Sequence, residues 1–108
     1  MLGKFMFPAI ATVLLIAPAW ADGEGSPLRG TAYANAMCSS CHAVGPGAEA
    51  SPNPAAKPFR SITLADASGA GFSTWLNTKH PNIPSHMITT GQAEDIAALI
   101  ASLKTAAN

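Results

Sequence analysis

The stretch Ala36-Met37-Cys38-Ser39-Ser40-Cys41-His42 decides how this chain of 108 residues is read. Two thiols flank two serines, and an imidazole follows the second thiol directly. Toward the N-terminus, Ser26-Pro27 fits a helix N-cap with proline at the first helical position. Leu28, Ala32, Tyr33, Ala36 and Met37 then carry a helical apolar pattern into the first thiol. Toward the C-terminus, Gly45-Pro46-Gly47, Pro52, Pro54 and Pro58 predict a long irregular loop, a feature that in compact domains is usually functional or disordered. Short helices are expected over Phe59–Ala67 and Phe72–Thr78, separated by Gly69 and Gly71, with Phe72, Trp75 and Leu76 turned inward. Pro81 and Pro84 hold the segment from His80 to Met87 out of helix. The last helix begins at Thr89, whose spacing to Gln92 fits a capping box. Ile96, Leu99, Ile100 and Leu103 share one face of it, and Lys104 sits near the negative end of its dipole. The predicted domain is all-α, its loops gathered around something central.

Residues 1–21 read differently from the rest. Lys4 precedes an uncharged, mainly apolar run from Phe5 to Ile16, and Ala19-Trp20-Ala21 is a small-x-small cleavage pattern before polar Asp22-Gly23-Glu24-Gly25. That is the pattern of a secretory signal peptide cleaved after Ala21. The run is short for a bilayer span, which needs about 20 residues, so no membrane span is expected after cleavage. Export predicts a periplasmic location for the mature domain, residues 22–108. Loss of Lys4 leaves one fewer than the six Lys and Arg of the whole chain, against six Asp and Glu. With no basic field, a nucleic-acid partner is not expected. A domain this small is marginal without internal support.

A C-x-x-C-H pentapeptide is the attachment signature for c-type haem. The two thiols of Cys38 and Cys41 add across the porphyrin vinyl groups, and His42 is placed to bind iron as the proximal ligand. The porphyrin would also supply the apolar core that the chain is short of. A thioredoxin-like pair needs a βαβ context, and no strand pattern precedes Cys38. A zinc site built from Cys38, Cys41, His80 and His86 has a separation far longer than the usual finger spacing of about 12–15 residues. A plain disulfide would close a very short loop and leave His42 unexplained.

Further residues extend the pattern. Gly30 precedes Cys38 by eight positions, with Tyr33 three later; Ser51-Pro52-Asn53-Pro54 and Lys57-Pro58-Phe59-Arg60 follow in the loop, then Trp75-Leu76 and Glu94-Asp95-Ile96-Ala97-Ala98-Leu99-Ile100. With these in place, residues 26–104 resemble the small monohaem class I cytochromes c of bacteria. The resemblance implies three to five helices wrapped around one covalent haem c and its iron. It also implies a glycine, Gly30, that lets the N- and C-terminal helices cross closely. A proline carbonyl commonly takes the proximal imidazole proton, which points to Pro58, with Pro46 as the alternative. Trp75, Tyr33 and Arg60 stand where packing or propionate contacts are expected.

The phrase His80-Pro81-Asn82-Ile83-Pro84 departs from the family, which usually reads His-Pro-x-Met-Pro. Ile83 stands at the usual ligand position and cannot coordinate iron, so it is expected to pack against the haem. Met87 is the first substitute as distal ligand, since its thioether is the soft donor of an electron carrier. His86 or His80 would give bis-histidine ligation, and an open iron is the remaining alternative. The expected activity is electron carriage by Fe(II)/Fe(III) cycling rather than enzymatic turnover, by a monomer that docks redox partners such as a dehydrogenase, oxidase or reductase. An open sixth site would instead bind or react with peroxide, nitric oxide or carbon monoxide.

Overall fold

Local signals at Ser26, Ser68 and Thr89 place the helices. In the computed structural model, which describes residues 25–47, 49–84 and 87–106 together with Gly3, Pro8, Ala9 and Thr12, the order is α1 (Pro27–Met37), a 3₁₀ turn (Phe59–Ser61), α2 (Gly69–Lys79) and α3 (Thr90–Ala106). The described residues are all-helical, with no strand. The signal-peptide reading falls almost wholly outside them, as does His86. None of the described helices is long and apolar enough to cross a membrane.

The Ser26 hydroxyl accepts the Arg29 N–H at 3.2 Å, with Pro27 opening α1. At α3 the capping box forms in both directions: Thr89 Oγ1 accepts the Gln92 N–H at 3.1 Å and Gln92 Oε1 accepts the Thr89 N–H at 3.0 Å. Each bond satisfies a donor that a helix start leaves without a partner. Ile96, Leu99, Ile100 and Leu103 are all buried on one face of α3. Its last turn is tied down by Lys104 Nζ, which donates to Thr63 Oγ1 at 3.0 Å.

Three expectations are corrected. The helix expected over Phe59–Ala67 is only the 3₁₀ turn, and Ile62 is already extended at φ −79°, ψ 128°. β-Branched Ile62 and Thr63 favour that exit, which lets both Phe59 and Ile62 be buried. Gly69 and Gly71 do not separate helices but form the first turn of α2, because the Ser68 hydroxyl caps it by accepting the Gly71 N–H at 3.1 Å. A Cβ on Gly69 would stand 2.6 Å from the Thr90 carbonyl oxygen, so this glycine allows α2 to abut the start of α3. In α1 the buried residues are Gly30 and Ala34, while Leu28 faces solvent.

α3 is the hub, packing against α1, α2 and the 3₁₀ turn. Its crossing with α1 is so close that a Cβ on Gly30 would overlap the Asp95 carbonyl oxygen. Beside it, the Asp95 carboxylate is 5% exposed and accepts the Ser26 N–H at 2.8 Å, Arg29 Nε at 3.0 Å and Arg29 Nη2 at 3.2 Å. Burial by itself would raise the Asp95 carboxyl, but the Arg29 hydrogen bonds, the Ser26 N–H and the Arg29 charge together hold it below its ordinary value.

Gly30→Ala gains helix propensity of about 1 kcal/mol but drives a methyl into backbone that cannot rotate away. We expect net destabilisation of about 1–3 kcal/mol, read as a fall in the thermal midpoint. For Asp95, the unfolded chain binds the proton first as pH falls, so its contribution is complete well above pH 3.8 and is lost as pH drops through that ordinary value to the lower folded one. Asp95→Asn should cost about 1–2 kcal/mol near neutrality and flatten the acid limb of the stability curve in denaturant titrations.

Candidate functional site

The Cys-x-x-Cys-His run occupies the turn that leaves α1. Cys38 is the C-cap residue, its N–H donating to the Ala34 carbonyl at 2.8 Å, and its carbonyl accepts the N–H of Cys41 at 3.2 Å and of His42 at 2.9 Å. This turn places Cys38, Cys41 and His42 together in the lining of one cavity. Cys38 is half-buried against the core and Cys41 is exposed, and both are free thiols. Burial pushes the Cys38 thiol up, favouring the neutral S–H form.

The loop expected around a prosthetic group folds back beneath the motif. Asn53 N–H donates to the Cys41 carbonyl at 3.1 Å, Ala43 N–H to Ser51 Oγ at 3.1 Å and Phe59 N–H to the Ala43 carbonyl at 2.9 Å. At its centre, His42 Nδ1 lies 2.6 Å from the Lys57 carbonyl oxygen. A carbonyl only accepts, so Nδ1 carries a proton, and in the neutral imidazole Nε2 keeps its lone pair. The Phe59 ring steadies the imidazole, tilted 55° at a centroid distance of 5.4 Å.

The acceptor is thus Lys57, which corrects the assignment to Pro58 or Pro46. The Pro58 carbonyl closes the 3₁₀ turn by accepting the Ser61 N–H at 2.9 Å. Pro58 still shapes the site, because a proline holds the preceding residue extended. Its presence was the available signal for Lys57, one residue earlier. Arg60 Nη1 donates to the Gly47 carbonyl at 2.7 Å and so staples the loop. Tyr33 packs at the edge of the core.

The cavity measures about 460 Å³, within the range of about 300–1,000 Å³ typical of cofactor sites. Its walls combine the end of α1 and the motif with Phe59, Ile62, Phe72, Trp75, Leu76, Ile88, Ile96 and Ile100. Trp75 stacks on Phe72 at 5.7 Å and 26°. His80, Ile83 and Met87 complete the lining, with Ile83 38% and Met87 54% exposed. Cys38, Cys41, His42, Trp75, Ile83 and Met87 therefore meet at one cavity, and Pro58 does not line it.

His80, an alternative distal ligand in the sequence reading, is brought beside His42 by the fold. Its ring centroid lies 6.0 Å from that of His42, at an interplanar angle of 53°. Its Nδ1 lies 3.0 Å from the Leu76 carbonyl, which again assigns the proton to Nδ1.

Comparison with protein-family models, curated proteins and solved structures finds no match to this chain.

The residues fit a haem on their own chemistry. Two thiols and an imidazole with a free Nε2 stand at one edge of a mainly apolar chamber. A flat apolar macrocycle held by Cys38 and Cys41 would take the apolar walls of this chamber out of water.

Proposed function

We propose that this chain is an exported monohaem c-type cytochrome that carries electrons in the periplasm and docks redox partner proteins. The observation that carries the reading is the joint placement of Cys38, Cys41 and His42 at one apolar cavity, with His42 Nδ1 bonded to the Lys57 carbonyl. In metal sites the ligating histidine almost always donates its other ring N–H to a carbonyl or carboxylate, which fixes the ring and raises its basicity.

When bound, the haem supplies the one-electron Fe(II)/Fe(III) couple. The chain's own residues do the rest. Cys38 and Cys41 hold the group through thioether bonds, and His42 presents Nε2 as the proximal ligand. Phe59, Phe72, Trp75 and Ile100 exclude water and lower the local dielectric, which influences the potential. The exposed Cys41, Ile83 and Met87 mark where the cavity reaches the surface, so an edge of the group would lie open to a partner. The residue pattern before Asp22 supplies the export that puts the mature chain where c-type haem is attached.

Expression alongside a c-type maturation system tests this. The purified protein should gain the mass of one haem that acid–acetone does not extract, and its alkaline pyridine spectrum should be that of two saturated vinyl positions. Reversible one-electron titration should follow. The double substitution Cys38→Ala, Cys41→Ala should abolish covalent attachment. A mature protein recovered with a Cys38–Cys41 disulfide or bound zinc, and no haem, would overturn the reading.

A further inference from the structure

We infer that His80 is the second axial ligand of the iron, which makes this a bis-histidine site; the inference rests on the haem reading. Two imidazoles bound through Nε2 on opposite sides of one iron, each with a metal–nitrogen bond of about 2 Å, place their ring centroids about 6 Å apart. The His42 and His80 centroids are 6.0 Å apart across the cavity lining that they share. Their interplanar angle of 53° is compatible with such a pair, because coordination through the two Nε2 atoms does not itself fix the angle between the ring planes.

His80 also carries the orienting contact of a ligand. Its Nδ1–H donates to the Leu76 carbonyl at 3.0 Å, and its backbone N–H donates to the same oxygen at 2.9 Å. The two bonds fix the ring at the C-terminus of α2, and Pro81 ends the helix there. His42 and His80 therefore share one arrangement, with Nδ1 on a backbone carbonyl and Nε2 left as a donor to metal. Met87, the other donor on the wall, is 54% exposed. The His80 ring, by contrast, is held by the Leu76 carbonyl with its centroid 6.0 Å from that of His42.

The test uses the mature holoprotein and reads spectra, not activity. The alkaline pyridine spectrum first reports whether haem is covalently attached, and a negative result there overturns the haem reading. With haem attached, a low-spin spectrum in both oxidation states without a sulfur-to-iron charge-transfer band is expected. His80→Ala should become high-spin and bind carbon monoxide rapidly, and added imidazole should restore the low-spin spectrum. His80→Met, a second variant that keeps a strong ligand at the same place, should raise the midpoint potential and introduce the sulfur band. A high-spin native protein, or a low-spin spectrum retained in His80→Ala and lost in Met87→Ala, would overturn the assignment of His80 while leaving the haem intact.

Discussion

The close crossing of α1 and α3 is the contact on which the remaining structure depends. Gly30 brings the α1 backbone against the Asp95 carbonyl, and the Asp95 carboxylate locks the start of α1 through Ser26 and Arg29. Because the Cys-x-x-Cys-His turn leaves the C-terminal end of α1, this crossing sets where both thiols and His42 emerge. α3 then fixes the far wall, placing Ile96 and Ile100 at the back of the cavity and receiving α2 at Gly69. A side chain larger than hydrogen at Gly30 would separate the helices and move the motif relative to that wall.

Around the cavity the chain uses backbone carbonyls as its positioning groups. Lys57 holds His42, Leu76 holds His80, and Cys41 and Ala43 hold the loop. Carbonyls are rigidly placed by the elements that contain them and do not titrate, so the tautomers of both histidines are set by geometry. The loop is tied to the motif by the Asn53 N–H on the Cys41 carbonyl and the Lys57 carbonyl on His42, and to itself by the Ala43 N–H on Ser51 Oγ and the Ala56 N–H on the Asn53 carbonyl. Its prolines suit an irregular path, since each removes a donor that a regular element would need.

Interactions within four residues were legible in the sequence. The Ser26 cap, the Thr89–Gln92 capping box and the buried face of α3 all form as the residue pattern predicts. Patterns that needed a distant partner were misread. Gly69 looks like a breaker in a linear reading, yet it is required by the carbonyl of Thr90; the Ser68 cap on Gly71 is the local signal that this reading passed over. The Phe59–Ala67 segment has helical composition in part, but burying both Phe59 and Ile62 on the core demanded an extended exit.

The sequence by itself determined an all-helical domain and the identity of the two thiols and the imidazole that share one turn, because spacing along a helix or turn fixes which side chains emerge together. Only the tertiary structure decided that the Lys57 carbonyl, not that of Pro58, holds His42 and that the His80 ring lies 6.0 Å from it. Those relations join residues far apart in the chain, and their distances follow from how α1, α2 and the loop pack on α3. No local periodicity encodes that packing.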